Sequence, residues 1–244
     1  MPVQDIPFSS ASFDRAGHLR KDKDYLKSAR RAPETLVMLM KDGAPFVSGA
    51  RSDRSFEPGE PLPAGERTLY WIGAQILDLV SEEDQLFLGL NSAGEPMFAV
   101  DVPDSLPLDA IKDGAFEDAR AAASFMSPIE ASMTATARSI FSWRDRHGFC
   151  ANCGVRTRIA EAGWKRECPA CNAEHFPRVD PVAIMLAVKG DKCLMGRQAS
   201  WAPGFWSCLA GFIEPGETME QGAARELFEE AGIKWNGKCE YLFC

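Results

Sequence analysis

No stretch of the 244 residues approaches 18 uninterrupted apolar positions, which argues against a membrane-spanning helix. The first residues, MPVQDIPFSSASFDRAGHLR, lack a basic start followed by an apolar run, so no secretory leader is expected. Positive charge is also short. Lys and Arg number 27 against 35 Asp and Glu, a net charge of -8. Gripping a nucleic-acid backbone by general electrostatics takes clustered Lys and Arg. A phosphate-bearing substrate would therefore need bridging metal ions, and a small ligand or the end of a polynucleotide is the expected partner. The eight cysteines are too sparse for the disulfide framework of a small secreted domain. Reduced thiols and a cytoplasmic setting are expected.

What is present suits a folded α+β chain. The 45% hydrophobic content supports a core, and the length allows one large or two modest domains. Short β-prone runs occupy 68–80, 84–91 and 96–102, the last two joined by a turn at Ser92–Glu95. The segment RSFEPGEPLPAGER (54–67) is a Pro- and Gly-rich loop. No catalytic constellation stands out before residue 126, and this region is expected to be an N-terminal support or dimer domain. A helix is predicted over 127–147. Ser127 suits the N-cap, Pro128 the first turn and Glu130 the capping box, while Ile129, Met133, Ala137, Ile140 and Phe141 form one apolar face. It should connect two domains.

Four of the cysteines read C-x2-C-x14-C-x2-C: Cys150, Cys153, Cys168 and Cys171. Two knuckles of two thiolates complete a closed tetrahedral zinc site over 148–177, and Gly154 eases the first turn. With every position filled by sulfur, such a zinc supports the fold and leaves no place for a reacting water. His147 and His175 flank the knuckles as packing or hydrogen-bonding residues.

After HFPRVD (175–180) the chain changes character. A buried strand is expected over 181–188, a turn at Gly190–Asp191, a hairpin partner over 192–197 and a further strand over 205–213. Then follows GFIEPGETMEQGAARELFEEAGI (211–233), crowded with glutamates. Thr218 and Gln221 make a capping box and Gly232 a left-handed stop, so a helix of about three turns is predicted. At about 100° per residue, Glu226, Glu229 and Glu230 share one sector, while Ala224, Leu227, Phe228 and Ala231 lie opposite. Like charges at this spacing repel, so the face needs either open water or a cation.

The stretch reads G-x5-E-x7-R-E-U-x-E-E-x-G-U, U being apolar, and it resembles the Nudix box. Segments 143–154, 176–186 and 196–217 together with this box resemble the NAD(H) pyrophosphatases of the NudC type. The resemblance implies a Nudix α/β/α sandwich over 178–244, behind a zinc ribbon and a Nudix-like N-terminal domain of residues 1–126. It implies Mg²⁺ or Mn²⁺ held by Glu226, Glu229 and Glu230 with the Ala210 carbonyl, one glutamate or its water as base, and a loop ordered by Arg225 and Glu217. The implied reaction is hydrolysis of NAD(H) to NMN(H) and AMP, or of the NAD cap at an RNA 5′ end, in a possible homodimer. The residues after the box, KWNGKCEYLFC, do not match the family's S-Q-P-W-P-F-P-x-S segment, so an incomplete Nudix domain is expected. A broader hydrolase of ADP-ribose or other dinucleotides, and a non-catalytic zinc-binding module, are the alternatives.

Overall fold

The computed structural model describes residues 8, 13–48, 67–106, 111, 114–235 and 239–242. It divides into two units, 1–177 and 178–244. All but the last residue of the 54–67 loop lies outside the described residues.

The first unit is built on a six-stranded sheet. Helix α1 (Lys23–Ala29) precedes strands β1 (Leu36–Lys41), β2 (Ala44–Ser48), β3 (Trp71–Gly73), β4 (Gln85–Leu90), β5 (Pro96–Asp101) and β6 (Gly114–Phe116). The order is β4-β5-β1-β2-β6, with β3 also pairing β1. Only β1 and β5 run parallel; the remaining pairs are antiparallel. Val37 and Leu39 of β1 share a core with Phe87, Phe98 and Leu26 of α1. Their neighbours Met38 and Met40 join Leu86, Met97 and the helix α3 (Pro128–Arg146) in another, on the opposite face of the pleat. Both faces are covered, so the strands carry continuous apolar runs in place of an alternating pattern.

The 68–80 run is the first departure from expectation. Only Trp71–Gly73 is strand, and Ala74–Leu79 turns into a 3-10 helix that buries Ala74 and Leu77. The hairpin of β4 and β5 forms as expected, with the Asn91 carboxamide oxygen accepting from the Ala93 and Glu95 amides across the turn.

Helix α3 begins at the capping box of Ser127 and Glu130. The same Glu130 reaches back to accept from the Leu69 amide at 3.1 Å, tying the helix start to the sheet. Met133, Ala137, Ile140 and Phe141 are buried, but Ile129 is 36% exposed, and the core row starts instead at Ala131. The helix is thus part of the N-terminal core as well as a link onward.

Near its end Arg144 is buried and donates to three backbone carbonyls, Gly163 at 3.0 Å, Glu83 at 3.2 Å and Gln85 at 2.9 Å. Gly163, at φ 103°, must lack a side chain, since a Cβ there would stand 1.5 Å from the Arg144 guanidinium. Arg144→Met would leave those carbonyls without donors. We expect a loss of about 3 kcal/mol, read as a melting temperature lowered by several degrees. An unchanged melt would mean that water replaces the guanidinium.

Beside Arg144, burial and the neighbouring carboxylates of Asp145 and Asp84 lift the Asp101 carboxyl to about 6, against the opposing pull of Arg144. A raised carboxyl binds its proton more tightly in the folded state, so stability falls as pH rises from about 4 through about 6. The full shift would correspond to about 3 kcal/mol, and screening of this partly exposed group leaves about 1 kcal/mol. Asp101→Asn should flatten that part of the stability profile and raise the melting temperature at pH 7. An identical profile in the variant would place the titration elsewhere.

The ribbon closes this unit with a three-stranded antiparallel sheet of β7 (Arg158–Ala160), β8 (Lys165–Glu167) and β9 (Glu174–His175). Lys165 is buried and lies 2.7–2.8 Å from the carboxylates of Glu161, Glu167 and Glu174, which hold its ammonium well above the usual lysine range. Trp164 docks on the N-terminal sheet, its indole nitrogen donating to the Phe87 carbonyl at 2.7 Å under the Arg20 guanidinium.

The second unit pairs β10 (Val182–Met185) with a later strand. The hairpin β11 (Val188–Lys189) and β12 (Lys192–Cys193) turns at Gly190, and β13 (Leu209–Phe212) returns antiparallel to β10. Helix α4 (Met219–Ala231) follows, packed on both long strands. The expected buried strand over 181–188 is shorter and barely covered. Ala183 is buried, while Val182 and Ile184, on the other side of the pleat, are 42% and 73% exposed because α4 covers one face only. The 205–213 strand likewise shrinks to four residues. The partner expected over 192–197 is only two residues long, and Gly196 instead bridges to Ser207. Taken together, the chain is α+β. Among the described residues no helix is long and apolar enough to cross a membrane.

Candidate metal centres

The ligand atoms of Cys150, Cys153, Cys168 and Cys171 all lie within 4.8 Å of one another. Sulfur pairs stand 3.6 Å apart for Cys150–Cys171 and 3.4 Å for Cys153–Cys168. A tetrahedral zinc with 2.3 Å bonds sets its sulfurs about 3.8 Å apart. The quartet fits. Two turns shape it: the Gly154 amide donates to the Cys150 carbonyl with φ at 76°, and the Asn172 amide donates to Cys168 likewise. The His175 Nε2 lies 3.3 Å from the Cys150 sulfur, where it can steady a thiolate, and His147 Nδ1 sits on the Trp143 carbonyl.

Thiols this close compete for protons. Contacts with Asn152 and the Ala173 backbone push Cys171 down to about 6. The Val155 backbone draws Cys153 down as well, but contacts with Cys168 and Cys171 prevail and drive it up to about 12. Four thiolates cannot coexist without a cation, which is what a divalent ion supplies.

The acidic helix is organised differently. Thr218 and Gln221 cap its start, and Gly232 ends it at φ 66°. Arg225 is the hub. Its Nε and Nη2 form a fork on Glu217 at 2.8 and 3.0 Å, and its Nη1 reaches Glu226 at 3.0 Å and Glu229 at 3.1 Å. Nη2 also donates to the Phe212 carbonyl at 2.8 Å, fastening helix to strand. The fork holds Glu217 below the usual carboxylate range, and Glu217 in turn accepts from the Glu214 amide at 3.0 Å, which fixes the loop. Gly211 is required by contact. A Cβ there would lie 1.8 Å from the Glu226 carboxyl carbon. Glu226 is thereby pressed onto the strand residue next to Ala210.

Glu217, Glu226 and Glu229 therefore meet around one guanidinium. Glu230 lies on the same helix sector but is not in that network, and among the described residues only the cysteine quartet gathers three or more ligand atoms at metal spacing. Carboxylate oxygens suit Mg²⁺ or Mn²⁺, as thiolates suit zinc. Gly211 and the Lys165 tripod were not assigned contacts in the sequence. The Gly-x5-Glu spacing carries the first as a bare glycine; for the second, Glu161 and Glu167 lie within four residues of Lys165, and only Glu174 is brought in from farther along the chain.

Three family profiles match in succession. Residues 34–143 match the NADH pyrophosphatase-like rudimentary NUDIX domain, 145–176 the NADH pyrophosphatase zinc ribbon domain, and 177–243 the NUDIX domain. The chain belongs to the NADH pyrophosphatase family of Nudix proteins. Its relatives include the human NAD-capped RNA hydrolase NUDT12, 35% identical over 97% of this chain and 58% of the relative. Human mitochondrial NAD(P)H pyrophosphatase NUDT13 is 32% identical over 88% of this chain and 63% of that one. The NAD-capped RNA hydrolase NudC of Stutzerimonas stutzeri is 35% identical over 67% and 56%. The chain thus spans about three fifths of the NUDT12 and NUDT13 relatives' length. The cysteine quartet lies within the zinc ribbon match, and α4 with its preceding loop lies within the NUDIX match.

Proposed function

We propose that this protein is a metal-dependent hydrolase that splits the pyrophosphate of NAD(H) into NMN(H) and AMP, and that it also removes NAD caps from RNA. The observation that carries the reading is the Arg225 hub, which fixes Glu217, Glu226 and Glu229 against β13 beside Gly211. The activities named for the relatives support the substrate class. Glu226, Glu229 and Glu230, with the Ala210 carbonyl, would hold Mg²⁺ or Mn²⁺. Such an ion neutralises pyrophosphate charge and lowers the pKa of a bound water. Glu217 and Arg225 position the loop, and a glutamate of the helix takes the proton from the attacking water. Zinc on Cys150, Cys153, Cys168 and Cys171 supports the fold of residues 148–177. We assign 1–126 to the N-terminal Nudix-like domain, 127–147 to a connecting helix and 178–244 to the Nudix domain. We place it in the cytoplasm, a compartment that keeps thiolate ligands reduced. A homodimer belongs to the same reading, and light scattering on the purified protein tests it.

The decisive experiment incubates the protein with NADH and Mg²⁺ or Mn²⁺ and separates the products. AMP and NMNH are expected, with slower turnover of ADP-ribose. Equal rates on all dinucleotides would favour a broad Nudix hydrolase, and no turnover a non-catalytic module.

A further inference from the structure

On the N-terminal domain, far along the chain from the box, α3 presents an outer face unrelated to its core row. At about 100° per residue, Ala135, Arg138, Ser139, Ser142 and Arg146 fall in one sector. The first four border a cavity of about 320 Å³ whose other bank is Arg120 of the helix α2 (Ala119–Ala122), with Phe8 at its edge. Arg120 and Arg138 are exposed, and among the described residues neither guanidinium forms an ion pair or hydrogen bond. The Ser139 and Ser142 hydroxyls likewise have no hydrogen-bond partner there. Asp118 feels both arginines, but its carboxylate is engaged by the Arg120 and Ala121 amides at 3.0 and 3.1 Å.

In a chain of net charge -8, this places two guanidiniums and two hydroxyls around one cavity, none of them with a hydrogen-bond partner among the described residues. Guanidinium forks and hydroxyl donors are the groups that bind phosphate oxygens. The donors continue along the helix to the exposed Arg146, one turn past Ser142, so the face suits a row of phosphates better than a single one. We infer that this face of the N-terminal domain binds the phosphodiester backbone of a single RNA strand. The inference rests on NAD-capped RNA being a substrate, and assigns the RNA body a seat on the first unit. Binding here carries no sequence preference, because only backbone is contacted.

The test uses the full chain and a fluorescent single-stranded RNA of twelve nucleotides with a 5′-monophosphate, followed by anisotropy at several salt concentrations. Arg120→Gln/Arg138→Gln should weaken binding about tenfold at low salt and make the salt slope shallower by about 1.4, two phosphate contacts at about 0.7 each. Ser142→Glu, which puts a negative charge into the cavity without touching either arginine, should weaken it as well. NADH hydrolysis and melting temperature should be unchanged in both. Equal affinity and slope in both variants would overturn the inference. So would a wild-type protein that hydrolyses NADH yet does not bind the RNA, which leaves the hydrolase reading standing. Displacement of the RNA by equimolar AMP would show a single-nucleotide site and overturn the backbone assignment. RNA binding lost in the variants of a protein inert toward NADH would uphold the surface and sink the hydrolase.

Discussion

Glu229→Gln and Glu230→Gln should each lower NADH turnover by about 10²- to 10⁴-fold, the range of a lost proton-transfer group, with the fold intact. An amide keeps the size of the carboxylate but loses its charge, so it is a poor ligand for a hard divalent cation and cannot accept the proton of an attacking water. The two positions separate chemistry from structure. Glu229 also meets Arg225 at 3.1 Å, but its side chain is 56% exposed, and such a pair contributes at most about 1 kcal/mol. Glu230 has no part in that network. A similar loss of turnover from both, without a change in melting temperature, would assign the effect to metal and water. Unchanged turnover in both would move the chemistry off this helix. Glu217→Gln should behave differently. It breaks the fork on Arg225 and frees the Glu214 amide, so the loop loosens and Glu226 loses its brace.

Much of this site was legible because its information is local. The C-x2-C pairs, the capping boxes at Ser127 and Thr218, and the stop at Gly232 are all set by residues within a few positions of one another, and each formed as the spacing predicts. What was illegible depends on distant partners. The apolar run of β1, LVMLM, is buried on both faces and lacks the alternation that marks a strand with one wet face. Helix α1 buries only Leu26 and Ala29, too few to show a period. The run at 68–80 has strand composition, yet after Gly73 its apolar residues are better buried by a 3-10 turn. Arg144 reads as an ordinary surface charge near a helix end, but its partners are carbonyls about 60 positions earlier and at Gly163. In the second unit the error ran the other way. Val182 and Ile184 look like core residues, but a strand covered by one helix hides only alternate side chains.

The largest stability effect should come from the zinc quartet. Cys168 is 1% exposed, and Cys168→Ser removes one of four thiolates. Structural zinc of this kind contributes about 10–16 kcal/mol of binding free energy, which is folding free energy where the apo site is unformed. Loss of one ligand should therefore empty the site and unfold the ribbon locally. The damage should not stop there. The ribbon gives Gly163 to Arg144 and Trp164 to the Phe87 carbonyl, so its loosening withdraws two anchors from the buried edge of β4. We expect metal content near zero and a melting temperature lowered by about 10 °C, equivalent to about 3–5 kcal/mol. Cys193→Ser, an exposed thiol in the second unit, serves as the control and should change neither. Full zinc occupancy and an unchanged melt in Cys168→Ser would show that these four sulfurs are not the ligand set. Zinc loss with an unchanged melt would show instead that the N-terminal sheet holds without the ribbon, and that the contacts of Gly163 and Trp164 follow the fold without supporting it.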